Sequence, residues 1–233
     1  NLKKIKKLKM IFRLGSGIDN IDLKEVKKKK IKILKTKVSL EKAVGELTIA
    51  LILNILRKIS NQDQNMKKGI WKKEMGNLLY DKTVGIIGYG KIGKYLSKIL
   101  KIFGAKILIY DIKKNKHNIT LKKLLTESEI ITIHTSYTKK NFNFIDKKKM
   151  KLMRKDSILI NTSRPEIIDY KYLYYMLKKK IIKAAALDVF KKEPYKGKFT
   201  KLSNVLLTPH IGSYAQEIRD KMELEAVESI VKY

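Results

Sequence analysis

A short apolar run that ends in closely spaced glycines constrains this chain more than any other feature. Thr83-Val84-Gly85-Ile86-Ile87 has the length and β-branching of a buried parallel strand and leads directly into Gly88-Tyr89-Gly90-Lys91-Ile92-Gly93. Beyond the glycines, Ile92, Leu96, Ile99, Leu100 and Phe103 recur at helical spacing until Gly104 stops them. Lys106 to Tyr110 reads as a second strand, and Asp111 follows it eighteen residues after Gly93. Each part has its own task. Gly88 permits a tight turn, Gly90 lets a pyrophosphate approach the backbone, Gly93 allows close helix-to-strand packing, and the helix start offers unpaired N–H groups to phosphate. GxGxxG alone is a weak signal; with strand, helix, second strand and acid in place it marks a dinucleotide site. Asp111 suits the ribose hydroxyls and repels a 2′-phosphate, which favours NAD over NADP, with Lys113 and Lys114 as a counterweight.

With 233 residues and 44% apolar content the chain can bury a real core. It has no cysteine, so disulfides, a thiolate nucleophile and a Cys-based zinc site are excluded, and a cytoplasmic address is expected. No metal site is expected, and no apolar run is long enough to span a bilayer, so no membrane partner is expected either. The formal charge of +32 attracts polyanions at low ionic strength. Its lysines are spread over every segment without a nucleic-acid-reading motif, so they read as general lysine enrichment and no specific nucleic-acid partner is expected.

The chain opens at Asn1 with a strand at Lys9 to Arg13 and no partner strand before it, which suggests an incomplete amino end. A glycine-punctuated turn follows, Asp22 caps a short helix from Leu23, Ile31 to Leu34 is a strand, and a long helix runs from Ser39 to about Ile59. Residues 61–69 are polar and place a domain boundary near Gly69; Trp71, just beyond, is expected to pack. After Asp111, helices at 120–125, 146–153 and 170–179 alternate with strands at 130–134, 157–161, 184–189 and 205–208. A last helix within 213–233 is free to return to the first segment. The fold class is α/β: a doubly wound parallel sheet at 69–212, with a second, discontinuous α/β domain from 1–68 and 213–233.

In open parallel sheets ligands sit at the carboxyl ends of the strands. His134-Thr135, Asn161-Thr162-Ser163-Arg164, Asp188 with Glu193, and Thr208-Pro209-His210 all follow strands. An arginine, a carboxylate and a histidine therefore converge where the dinucleotide lies, the set hydride chemistry needs: a cation for a substrate carboxylate and a proton donor for a developing alkoxide. Alone, a histidine after Pro209 reads equally as a packing residue, and Glu193 before Pro194 as a turn cap. His134 reads as structural, and His117 falls in a lysine-rich loop without an evident partner.

These stretches, together with Gly15-Ser16-Gly17-Ile18-Asp19-Asn20-Ile21-Asp22, Ala186-Leu187-Asp188-Val189-Phe190-Lys191-Lys192-Glu193-Pro194 and Thr208-Pro209-His210-Ile211-Gly212-Ser213, resemble the D-isomer-specific 2-hydroxyacid dehydrogenases, the family that includes phosphoglycerate dehydrogenase. The resemblance spans essentially the whole chain and begins partway through the family's substrate domain. It implies that Arg164, Glu193 and His210 are catalytic. It puts Lys91, Ile92, Asp111, Thr135, Thr162, Asp188 and Ser213 near the cofactor with the glycines, and gives the substrate carboxylate to Arg164 and the backbone of Ser16 and Gly17. Pro165 departs from the family's glycine, removing an N–H and biasing Arg164 toward an extended backbone; Lys35 to Val38 and Ser136 are further loop departures.

The implied reaction is reversible reduction of a 2-oxo acid by NADH, with Arg13 and the basic composition suiting an anionic or phosphorylated acid. A homodimer is the expected assembly. The competing class is a non-catalytic NAD-binding regulator or corepressor-like interaction protein, thinkable because of Pro165 and the charge; NADH consumption with a 2-oxo acid separates the two.

Overall fold

The run at Thr83–Ile87 is the hub of a six-stranded, fully parallel sheet. The computed structural model describes every residue except 1, 3, 4, 6, 16, 19, 114, 115 and 233. In chain order the strands of this sheet are β3 (Thr83–Ile87), β4 (Lys106–Tyr110), β5 (Ile130–Ile133), β6 (Ile158–Asn161), β7 (Ala184–Leu187) and β8 (Val205–Leu207). Their spatial order is β4-β3-β5-β6-β7-β8. The order reverses at β3, which pairs with β4 on one side (Val84 opposite Ile107) and with β5 on the other (Val84 opposite Ile130).

Side chains alternate across each strand, and both faces of the sheet are covered, which explains why the strands read as unbroken apolar runs. Val84, Ile86, Ile130, Ile158, Ile160, Ala184 and Ala186 pack on one face with Leu96 and Leu100 of α4 (Lys91–Ile102) and with Leu51, Ile52 and Leu56 of α2 (Glu41–Arg57). Ile87, Ile131, Ile133, Leu159, Ala185 and Leu187 pack on the other, with Leu124 and Leu125 of α5 (Leu121–Glu127) and Leu173 and Met176 of α7 (Tyr170–Lys178). Gly104, at φ +75°, ends α4 as its position suggested.

The chain divides into two compact units, Val44–Gly212 and the pair of segments Asn1–Ala43 and Ser213–Tyr233. The division falls inside α2 rather than near Gly69. A buried leucine or isoleucine contributes about 1.5–3 kcal/mol, so Leu51, Ile52 and Leu56 tie most of α2 to the six-stranded sheet. Most of the polar stretch at 61–69 is part of a helix, α3 (Ile59–Lys67), set off from α2 by Lys58 in a left-handed conformation (φ 55°). None of its residues is buried, so it carries no apolar stripe to announce it. Trp71 is not packed but 78% exposed. The helix expected over 146–153 is a single turn, α6 (Lys147–Met150), capped by the Asp146 side chain.

In the smaller unit β1 (Met10–Arg13) pairs in parallel with β2 (Lys32–Lys35). Between them lies α1 (Leu23–Lys28), whose first amides, on Lys24 and Glu25, donate to Asp22 at 3.1 and 3.2 Å. The carboxyl-terminal helix α8 (Gln216–Val231) returns to this unit through Glu225, which accepts from the Thr36 hydroxyl and from Lys37 N at 2.9 Å. Burial works against the Glu225 charge, but these hydrogen bonds hold its pKa below the ordinary glutamate value.

Candidate active site

Every strand of the large sheet points the same way, so the loops after β3, β5, β6, β7 and β8 share one edge. At the reversal point Gly88 has φ +99°, and a Cβ there would lie 2.7 Å from the carbonyl carbon and oxygen of His134, so only glycine fits. A Cβ on Gly93 would lie 2.1 Å from Gly88 O, closing the helix start onto the turn. Gly90 is different: a Cβ there meets nothing within 4 Å. It opens α4 without a side-chain cap, leaving the first-turn amides for an anionic group. Lys91 is exposed and Ile92 partly buried on that turn. The cradle thus fits a dinucleotide pyrophosphate.

Asp111 borders the same turn. Its Oδ2 accepts from Tyr89 N at 2.6 Å and its Oδ1 from Lys113 N at 2.8 Å, while Asn118 brackets its backbone from both sides. Lys114 lies outside the described residues. His117 has a partner after all: its ring meets Tyr89 edge-on, with centroids 6.0 Å apart.

After β5, His134 Nε2 lies 2.8 Å from Thr132 Oγ1. The residue keeps some surface, yet Nδ1 is buried with no hydrogen-bond partner among the described residues. Burial lowers its pKa to about 3, so the ring is neutral and structural. Thr135 O accepts from the Ser163 hydroxyl, which joins the β5 and β6 loops. Thr162 is buried, its Oγ1 3.4 Å from that of Thr48 on α2. Arg164 has the extended backbone that a following proline imposes (φ −142°, ψ 141°), and Pro165 starts a 3-10 turn, Pro165–Ile167. Its Nη1 donates to Ser163 O at 2.8 Å.

The β7 and β8 loops meet through two carboxylates. Asp188 is fully buried and accepts from Thr208 Oγ1 (2.6 Å), Ile211 N (2.8 Å) and Gly212 N (3.0 Å). Burial raises its pKa, against the pull of those donors and of His210. His210, between these contacts, has φ 57°. Such a conformation costs a non-glycine residue on the order of 1–3 kcal/mol unless neighbours over-determine it. The Asp188 clamp on the next two amides does so. Expected near the cofactor, Asp188 has both oxygens engaged in holding the His210 turn.

His210 Nδ1 lies 3.0 Å from Glu193 Oε2 and 3.1 Å from Oε1, and Glu193 Oε1 also accepts from Phe190 N at 3.1 Å. An ionised carboxylate only accepts, so the Nδ1 proton belongs to the imidazole and Nε2 is the nitrogen left for a substrate. Glu193 is therefore more than a turn cap.

Among the other expected contacts, Ser16 lies outside the described residues, while Gly17 and Ser213 belong to the smaller unit. There Arg13 donates to Gly17 O (3.2 Å) and Leu14 O (2.7 Å), so its guanidinium shapes the glycine turn. The roles of Ser163 and Tyr170 were not foreseen from the sequence. Each bonds a distant backbone carbonyl, Thr135 O and Val189 O, and such bonds leave no motif.

Residues 49–212 match the family described as "D-isomer specific 2-hydroxyacid dehydrogenase, NAD binding domain". A glyoxylate reductase of Thermococcus litoralis is 36% identical over 250 aligned positions, covering 100% of this chain and 76% of that protein. A hydroxypyruvate reductase of Thermotoga maritima is 36% identical over 238 positions, covering 97% of this chain and 78% of that one. The crystal structure of a D-lactate dehydrogenase from Aquifex aeolicus complexed with NAD and lactic acid superposes with a TM-score of 0.86 at 29% identity, over 98% of this chain and 77% of that chain.

Proposed function

The chain belongs to the D-isomer specific 2-hydroxyacid dehydrogenases, and on that premise we propose that Arg164, Glu193 and His210 carry its reaction. It is an oxidoreductase that moves a hydride between NAD(H) and a D-2-hydroxy acid/2-oxo acid pair. The single observation that supports our assignment of roles is the Glu193–His210 contact at the sheet edge that also bears the glycine cradle. Bound NADH supplies the hydride. His210 delivers a proton from Nε2 to the carbonyl oxygen, Glu193 holds the ring by Nδ1 and balances its positive charge, and Arg164 takes the substrate carboxylate. Gly88, Gly90, Gly93 and the first turn of α4 hold the pyrophosphate, and Asp111 faces the ribose. Arg13, committed to turn carbonyls, lends no support to a phosphorylated substrate.

A panel of 2-oxo acids, each assayed with NADH and with NADPH, tests this reading. We expect NADH oxidation with at least one small 2-oxo acid and a preference for NADH, because Asp111 repels a 2′-phosphate. No turnover with any of them would favour the alternative, a non-catalytic NAD-binding regulator; tighter use of NADPH would remove Asp111 from the role given to it.

We also propose a homodimer. Support comes from an irregular, exposed apolar stretch in the large unit, with Ile70 46%, Trp71 78%, Met75 89% and Leu78 66% exposed and Ile102 of α4 at 85%. Large apolar side chains left this exposed are a common mark of a surface that meets another protein. Trp71→Glu is expected to convert a dimer to monomers in sedimentation velocity; a monomeric parent protein at assay concentrations would end the idea. Lysines spread over both units support no specific nucleic-acid partner. Among the described residues no helix is long and apolar enough to cross a membrane, so no membrane partner is proposed, and the lack of cysteine favours a cytoplasmic address.

A further inference from the structure

The Arg164 loop and the Glu193 loop leave different strands, and one phenol joins them. Tyr170 Oη accepts from Asn161 Nδ2 at 3.1 Å and donates to Val189 O at 2.9 Å. On the arginine side, Asn161 is fully buried; its Nδ2 also donates to Arg164 O (3.0 Å) and its Oδ1 accepts from Ser163 N (3.0 Å). On the glutamate side, Val189 precedes Phe190, whose N–H donates to Glu193 Oε1. The chain of bonds therefore runs from the backbone of Arg164 to the carboxylate that orients His210.

The ring is fixed as well. Tyr170 meets Phe199 edge-on (centroids 5.6 Å apart), and Phe199 touches Tyr195, which stacks on Phe190 at 4.1 Å. Tyr170 thus sits on α7 with its body among the side chains of the 190–199 loop and its hydroxyl between the two loops. Burial, only partly offset by the Asn161 bond, pushes its pKa well above that of an ordinary phenol, so the O–H remains a donor wherever the protein is folded.

We infer that Tyr170 is a positioning residue: its hydroxyl locks the Arg164 and Glu193 loops into one frame, so that the carboxylate-binding cation and the proton donor keep a fixed separation. This rests on the roles given above to Arg164, Glu193 and His210. A shift of about 1 Å in such a frame costs up to about 100-fold in rate, whereas loss of one neutral hydrogen bond costs only about 1 kcal/mol of stability. The effect should therefore appear in catalysis more than in folding.

Tyr170→Phe keeps the ring and deletes the joint. We expect kcat for 2-oxo acid reduction to fall about 10-fold or more and KM for the acid to rise, with NADH affinity unchanged. Tyr174→Phe is the control: Tyr174 shares the edge contact to Phe199, and its substitution should leave both constants as they were. A second measurement needs no turnover. The protein has three histidines, and the His210 Nδ1 resonance reports the bond to Glu193. In Tyr170→Phe it should move toward its position in Glu193→Gln, while the His117 and His134 signals stay in place. An unchanged His210 signal with wild-type kcat and KM would overturn the inference, whatever happened to the melting temperature. If the parent protein reduced no 2-oxo acid, the proposed roles would fail, and the His210 signal would still decide whether Tyr170 joins the two loops.

Discussion

Replacing His210 is expected to lower kcat for 2-oxo acid reduction by about 10²–10⁴-fold, the range that a positioned general acid contributes. The choice of substitute matters, because His210 has φ 57° and Asp188 clamps the two amides that follow. Alanine at a left-handed position adds strain, whereas asparagine tolerates it, so His210→Asn removes the proton donor while sparing the turn. Steady-state rates at saturating NADH, alongside an NADH titration, check the result: turnover should collapse and cofactor affinity should hold. Turnover within a few-fold of the parent would show that another group supplies the proton and would return His210 to a packing role.

The other large effect is expected at Gly93. A side chain there starts 2.1 Å from Gly88 O, and a backbone oxygen within a tight turn has nowhere to retreat. Gly93→Val should therefore spread the turn and weaken NADH binding by at least about 100-fold, or about 2.8 kcal/mol. Gly90→Ala provides the contrast. A Cβ at Gly90 meets nothing within 4 Å, so the unliganded protein should be as stable as the parent while NADH binds more weakly, the methyl group standing where a phosphate must approach. NADH fluorescence titration and thermal melts of both variants separate a damaged fold from an obstructed cradle. A Gly93→Val protein with parental NADH affinity would mean that the turn does not hold the pyrophosphate.

The cradle was legible in the sequence because its causes are local. Gly93 is required by Gly88 O five residues before it and Gly88 by the backbone that follows the neighbouring strand β5, and the strand and helix beside them carry their burial as unbroken or periodic apolar residues. The same physics misplaced the unit division. Helix α3 buries nothing, so its polarity reads as a domain boundary; Trp71 reads as a packing residue because apolarity, read along the chain, does not say what lies opposite. His117 similarly gained a neighbour, Tyr89, from a loop twenty-odd residues earlier that no spacing rule connects to it.

What the sequence determined by itself was the class of sheet, the dinucleotide turn and the identity of the polar residues at the strand ends, since burial on both faces of a strand and the demands of a phosphate on the backbone are written in residue types. Only the tertiary structure decided how those residues are held. Asp188 engages the amides of Ile211 and Gly212, Ser163 bonds Thr135 O, and Tyr170 bonds Val189 O. The partner in each case is a main-chain group that every residue type carries, so the bond depends on where the fold brings that group and leaves no trace in the order of side chains.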